Sequence, residues 1–531
     1  MWWNKVILLS IVSILANHVC AIKILAIVSI PLRSHYMAFK PLFHELAKRG
    51  HSVTVMNHFP EDKPLPNLRY VDLQGSIQVN VSTLEGYENK YASLVHISNF
   101  YHHVTSNAER IIAECDYLFL NENAKAHLAE SNRYDVIFVE QFMGDCGLVY
   151  AATEFDAPII GITSHVLLPW AYRRLGIPFN PAADAFYFSP FGPNPSLLGK
   201  VEATLGYLFF NTIFNRYRQS LLYESFKHHR PQLSFDFETL VAEKMKMMFS
   251  YQHYSISGAR LLAPQLLEIA GAHISTPKPV AKDIEDFLST AEHGAIYVSF
   301  GSNLKMASMS PQKLQEFLAV FGRIPQKVLW KWENDTFPAG HDHILARKWF
   351  PQFDILCHPK VLAFVSHGGM LSLSEAAYCG KPMVAVPFFG DQFSNAAAVR
   401  ASGLGIFMYF QHVTEESLYG AIQELTSEEM QQSAKRVSKL FHDRPIPVMD
   451  SAIYWTEYVA RHRAAPPALP TTRNAWFETL LLDVAFFIFV IVAVILWMLS
   501  LILKLIKFII CKAFGKVLCR QENRSRKEKS Q

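Results

Sequence analysis

From residue 22 onward the chain alternates apolar runs with polar or glycine turns and amphipathic stretches. IKILAIVSI (22–30) leads into a helical pattern over 37–49 and then HSVTVM (51–56); DVIFVE (135–140) leads through another helical stretch to APIIGIT (157–163). Apolar runs separated by helical segments predict a parallel α/β sheet. The second half repeats the arrangement with AIYVSF (295–300), KVLWKW (327–332), VLAFVS (361–366) and KPMVAVPFF (381–389). Between the halves, two prolines in TPKPVAK (276–282) interrupt any regular element and predict a linker. A chain of 531 residues is long for one core, so two domains, 22–275 and 283–465, are expected.

The two ends read differently. Lys5, an uncharged apolar stretch over 6–16 and Val19-Cys20-Ala21 form a secretory signal pattern cleaved after Ala21, too short to span a bilayer. Residues 484–503 are free of charge for about the length a helix needs to cross the hydrocarbon core, after a juxtamembrane segment 466–483. The tail 504–531 carries nine Lys or Arg against two Glu, a net +7, which the positive-inside bias places in the cytosol. Without that tail and Lys5, the overall +4 becomes about −4 for the lumenal part, which excludes a nucleic-acid partner by the basic-patch criterion. These features predict a single-pass type I protein with its mass on the lumenal side. Lys527 and Lys529 near the terminus have the spacing of a dilysine retrieval signal for the endoplasmic reticulum. Asn80 and Asn334 head lumenal glycosylation sequons.

Seven cysteines give no paired spacing: Cys20 leaves with the leader, Cys511 and Cys519 sit at the membrane end, and Cys115, Cys146, Cys357 and Cys379 remain. No essential bridge is expected. Residues 164–217 interleave aromatic residues with Pro181, Pro190, Pro193 and Pro195, which suits a greasy acceptor pocket, a membrane-apposed surface or ordinary core.

Candidate chemistry concentrates in FVSHGGMLSLSEAAYCGKPMVAVPFFGDQ (364–392). In an open parallel sheet, ligands bind beyond the carboxyl ends of the strands. His367 follows one expected strand, and Asp391 and Gln392 follow the next, so they share an edge. Gly368 and Gly369 admit close backbone approach at the start of a helix over 370–378, whose free amides form an anion site. Glu375 projects sideways from that helix and can accept bonds from a diol such as a ribose. A diphosphate, a ribose and a second polyhydroxyl group, that is, a nucleotide-sugar, account for all of these together.

Residues 349–395, from WFPQFDILCHP to FFGDQFSN, resemble the signature of the UDP-glycosyltransferases, the membrane-bound branch of glycosyltransferase family 1, and the resemblance extends over essentially the whole chain. It implies a GT-B fold, two Rossmann-like domains facing a central cleft. It also implies that Trp349 stacks on uracil with Gln352 at the base edge, that His367, Ser299, Ser302 and Gly369 meet the diphosphate, that Glu375 holds the ribose, and that Asp391 and Gln392 hold the sugar. Where many relatives have Asn-Gly after His-Gly-Gly-x, this chain has Leu371-Ser372. Residues 445–463 resemble the terminal helix that returns toward the first domain.

His35, in PLRSHYMAF, is expected between the first strand and its helix, where the family has its catalytic histidine. An imidazole titrating near neutrality can take the acceptor proton if a carboxylate fixes its tautomer. Two acids compete for that role, Glu140 at a strand end and Asp145 in GDCG. The family commonly has aspartate where Glu140 aligns without a gap, and an inserted residue would bring Asp145 into place; the reading leans to Asp145, against an equally good one in which Asp145 only caps the next helix. With no Asp-x-Asp motif, no metal is expected, and the UDP-sugar is a co-substrate rather than a cofactor.

The resulting expectation is an inverting enzyme of the endoplasmic reticulum membrane that transfers a hexose, glucose by preference, to a small lipophilic acceptor. A sphingolipid glycosyltransferase and a catalytically silent ligand-binding relative are the alternatives. The partners are UDP-sugar, the acceptor and the bilayer, with a homo-oligomer left open.

Overall fold

The computed structural model describes residues 21–77, 81–88, 95–142, 144–184, 186–464, 466, 475–479 and 481–528. The leader pattern, the Asn80 sequon and the last three residues therefore fall outside the described residues. The chain forms two units, Met1–Leu469 and Pro470–Gln531.

In the first half of the larger unit lie β1 (Lys23–Ile27), β2 (Ser52–Asn57), β3 (Leu68–Asp72), the two-residue β4 (Ser82–Thr83), β5 (Val136–Glu140), β6 (Ile159–Thr163), β7 (Met245–Ser250) and β8 (Leu266–Glu268). The second half holds β9 (Ala295–Ser299), β10 (Leu304–Lys305), β11 (Lys327–Lys331), β12 (Ile344–Arg347), β13 (Val361–Ser366), β14 (Met383–Ala385) and β15 (Gly405–Phe407). The helices needed below are α1 (Arg33–Lys48), α2 (Val95–Leu120), α3 (Cys146–Glu154), α4 (Met370–Tyr378), α5 (Gln392–Ser402), α6 (Val448–His462) and α7 (Leu482–Glu528). Every residue of β5, β6 and β9 is buried, because helices cover both faces of a parallel sheet. Each large apolar side chain so covered contributes about 1.5–3 kcal/mol.

The first sheet runs β3-β2-β1-β5-β6-β7-β8 and the second β12-β11-β9-β13-β14-β15, with every pairing parallel. Each order moves outward from its first strand, then returns and continues on the other side. Such a reversal opens a crevice beside the first strand's carboxyl end. In the first sheet it lies between β1 and β5, which pair Ile27 with Val139. In the second it lies between β9 and β13, which pair Ser299 with Ser366. This is the GT-B arrangement.

Two excursions tie the halves together. The segment carrying β4 pairs in parallel with β10, buries Leu84 in the second core, and accepts a bond at the Tyr87 carbonyl from Gln411 Nε2 at 2.7 Å. Helix α6, expected from the sequence to return, packs against the first sheet: Arg49 Nη2 donates to Asp450 at 2.6 Å, and His51 pairs with Glu457 at 3.2 Å. Between β8 and the helix beginning at Lys282, residues 274–281 carry no regular structure.

Several boundaries differ from the sequence reading. Helix α1 starts at Arg33, two residues beyond Pro31, and runs through Pro41. His35 therefore belongs to the first turn of α1 instead of preceding it. The run KPMVAVPFF contributes only three residues of strand, since Pro382 and Pro387 cannot donate to a ladder.

The four cysteines for which the sequence offered no paired spacing form two bridges. Cys115 near the end of α2 is bonded to Cys146 at the start of α3, with Cα atoms 5.2 Å apart, and Cys357 to Cys379 just past α4, with Cα atoms 4.8 Å apart. The partners are 31 and 22 residues apart in sequence, a separation the fold closes and the spacing alone does not reveal.

Most of the aromatic segment is core: Phe186, Phe188, Phe210 and Phe214 are buried, and Phe188 stacks on Phe210 with centroids 5.8 Å apart. In the smaller unit, Leu482–Gly515 within α7 is long and apolar enough to cross a membrane and contains the expected span. Its Phe486, Phe489 and Trp497 are exposed, as a lipid-facing surface would be.

Candidate active site

The two crevices face each other across a cleft of about 500 Å³. Of the residues singled out by sequence, His35, Ser299, Ser302, Trp349, Gln352, His367, Gly369, Glu375, Asp391 and Gln392 line it; Glu140 and Asp145 do not.

On the first wall, His35 is buried, its ring edge-on to Phe142 and to His165 with centroids 4.7 Å away in each case. Its Nδ1 is hydrogen-bonded to Oε1 of Glu140, the last residue of β5. With Glu140 ionised, Nδ1 carries the proton and Nε2 is left as the basic nitrogen. Asp145 is elsewhere. It receives both Arg174 terminal nitrogens, at 3.0 and 2.8 Å, and Arg218 Nη2 at 2.5 Å. Burial acts to raise its pKa, but the two guanidinium groups outweigh that and hold it below the usual carboxylate range. The lean toward Asp145 is thus corrected, because no inserted residue is needed: the strand itself delivers Glu140 to His35. Asp145 does hold the N-cap position of α3, but its side chain makes no capping bond there.

The second wall explains the glycines of the central motif. A Cβ on Gly301 would lie 2.6 Å from His367 Cε1, and one on Gly369 would lie 2.5 Å from its Nε2. The imidazole therefore sits in a slot between two glycines, and Gly301 also needs the φ of +77° that glycine tolerates. Burial, with the neighbouring Lys331 ammonium, pushes His367 down to about 4, so the ring is neutral at pH 7 and has one N–H to donate.

Lys331 supplies the cation on this wall. It ends β11, is buried, lines the cleft and pairs with Glu333 at 2.7 Å. The sequence reading missed it; the signal was a lysine inside the apolar run KVLWKW.

Gln352 Nε2 donates to Glu375 Oε2 at 2.7 Å and to Ser372 Oγ at 2.9 Å. Ser372, one of the two departures from the family motif, thus holds the glutamine. Glu375 also meets His273 Nε2 at 3.2 Å, a contact sequence reasoning did not anticipate. Trp349 lines the cleft with 61% of its surface exposed, and the Arg33 guanidinium of the first half lies 5.5 Å from its ring centroid.

Asp391 precedes α5 and accepts from Asn395 Nδ2 at 2.7 Å. Burial pushes its carboxyl up to about 6, against the opposing effects of Asn395 and of His35. Gln392 accepts the Phe388 and Phe389 amides at 2.8 and 3.2 Å through Oε1.

An aromatic ring, a carboxylate on α4, a glycine-lined imidazole and a second acid meet on one wall of the cleft, a set that suits a nucleoside diphosphate sugar. Residues 23–520 match the family described as "UDP-glucoronosyl and UDP-glucosyl transferase". The chain belongs to that family. As a UDP-glycosyltransferase it is 33% identical over 488 residues to UDP-glycosyltransferase UGT5 of Dactylopius coccus, covering 89% of this chain and 90% of that one. It is 28% identical to UDP-glucuronosyltransferase 2B15 of Rattus norvegicus, covering 87% and 89%. Among solved structures the transferase resembles CalG4, the calicheamicin glycosyltransferase, with a TM-score of 0.56 at 16% identity, covering 83% of this chain and 99% of that one. At that identity the likeness speaks for the fold alone.

Proposed function

We propose that this UDP-glycosyltransferase moves glucose from UDP-glucose to a hydroxyl of a small lipophilic acceptor, with inversion, on the lumenal side of the endoplasmic reticulum membrane. The observation that carries the reading is the His35–Glu140 pair on the wall opposite the nucleotide-sugar residues. His35 Nε2 takes the acceptor proton as the acceptor oxygen attacks the anomeric carbon. The bond from that carbon to the diphosphate breaks, and UDP leaves toward His367 and Lys331. Glu140 stabilises the imidazolium that forms.

Leu32, Met37 and Phe142 around His35 give the acceptor side an apolar lining, and a membrane-length helix in the same chain keeps the enzyme where lipophilic acceptors partition. Two disulfides and the basic tail favour the oxidising lumen for the larger unit. For the sugar, UDP-glucosyltransferase 2 of Dactylopius coccus, 30% identical over 499 residues, carries glucose in its name.

The test is a donor screen on the full-length enzyme in detergent or nanodiscs with a simple phenol, following UDP release with and without EDTA. UDP-glucose is expected to give at least tenfold the rate of UDP-glucuronate or UDP-galactose, unchanged by EDTA. A preference for glucuronate would contradict the glucose assignment, and loss of rate with EDTA would contradict metal-independent catalysis.

A further inference from the structure

Tyr187 lies in the irregular aromatic stretch between the helices Pro169–Arg174 and Leu197–Phe209, where the sequence pattern does not separate core from site. Its ring is fixed. It stacks on His165 at 5.9 Å and meets Phe188 edge-on at 4.8 Å, and Phe188 is itself locked against Phe210. Tyr187 is 3% exposed, yet it lines the cleft, and its hydroxyl has no hydrogen-bond partner among the described residues. Of the cleft-lining residues it is the only one with a buried polar side-chain atom left unpaired in this way among the described residues. A buried hydroxyl without a partner is a cost to the fold, and such a cost is commonly retained where a ligand supplies the missing partner.

The position of the segment indicates which ligand group that is. Gly192, five residues on, lies so close to α5 that a Cβ there would come 2.9 Å from Ala397 Cβ, and its φ is +68°. The aromatic segment is thereby clamped onto the helix that Asp391 and Gln392 begin. Burial keeps the Tyr187 phenol protonated, and the nearby Asp391 charge acts in the same direction, so the hydroxyl is a donor at neutral pH. The first half thus brings this hydroxyl to the side of the cleft where Asp391 and Gln392 stand.

We propose that Tyr187 is a specificity-determining residue for the donor sugar, its hydroxyl donating a hydrogen bond to a hydroxyl of the hexose beside Asp391. The inference rests on the reading of the cleft as a UDP-hexose site and adds to it a contact from the acceptor-side half. UDP alone, which lacks the hexose, does not use this contact.

The test is Tyr187→Phe in the full-length enzyme, which removes one oxygen and leaves the stacking intact. kcat/KM for UDP-glucose is expected to fall about five- to tenfold, the size of one neutral hydrogen bond. Affinity for UDP, measured by calorimetry, should stay within twofold, as should KM for the acceptor. Thermal stability of the ligand-free variant should be unchanged or higher, since an unpaired buried hydroxyl has been removed. An unchanged kcat/KM for UDP-glucose, an equal loss for UDP and UDP-glucose, a shift confined to acceptor KM, or a lowered melting temperature would each overturn the proposal. A wild-type enzyme that transfers no hexose would instead overturn the functional reading beneath it.

Discussion

Replacing His35 by Ala is expected to lower kcat by about 10²–10⁴-fold, the usual contribution of a positioned general base, while UDP binds within twofold of wild type. The separation follows from geometry. The residues suited to uracil, ribose and diphosphate all belong to the second half, whereas His35 stands on α1 of the first. The acceptor hydroxyl is a poor nucleophile until its proton has somewhere to go. With alanine at 35 the nearest fixed base is gone, and Glu140 behind it is left with Oε2 already unpaired. Single-turnover rates with calorimetric UDP binding check this. A kcat within tenfold of wild type would remove His35 from the base role.

The second large effect separates the two acids. Asp145→Ala should destabilise the larger unit by about 3–5 kcal/mol, since deleting one member of a buried ion-pair cluster leaves uncompensated charge, here the guanidiniums of Arg174 and Arg218. Glu140→Gln keeps the side chain's size and should fold normally, yet lose about 10²-fold or more in kcat, because the amide no longer stabilises the imidazolium. Thermal unfolding beside kcat for both variants decides between the roles. A stable Asp145→Ala enzyme with kcat reduced a hundredfold, and an unaffected Glu140→Gln enzyme, would restore Asp145 as the partner of His35.

Much of this architecture is legible in the residues because the same physics writes pattern and fold. Apolar runs such as DVIFVE are strands since only a fully covered sheet tolerates them, and His367, Asp391 and Gln392 share an edge because each follows a parallel strand. The motif therefore marks one wall of the cleft directly, and α4 forms over the expected residues. What the pattern leaves out is contact between distant segments. Nothing in the spacing of Cys115 and Cys146, or of Cys357 and Cys379, states that a turn brings them within bonding distance. The choice between Glu140 and Asp145 failed for a related reason: it turned on alignment, whereas the decisive fact is that β5 ends beside β1 and carries Glu140 to His35. Lys331 and Tyr187 look like strand and core residues until the cleft they line is seen.

With His35 as the base on one wall and the diphosphate at His367 on the other, as proposed, the acceptor oxygen is expected to arrive from the side opposite the leaving group. The most direct measurement is the anomeric configuration of the product by proton NMR, formed from the α-linked UDP-sugar by the full-length enzyme. The two-wall account predicts a β-glycoside alone. An α-glycoside would mean that the oxygen and the UDP use the same face, which a base at His35 facing a diphosphate at His367 does not allow.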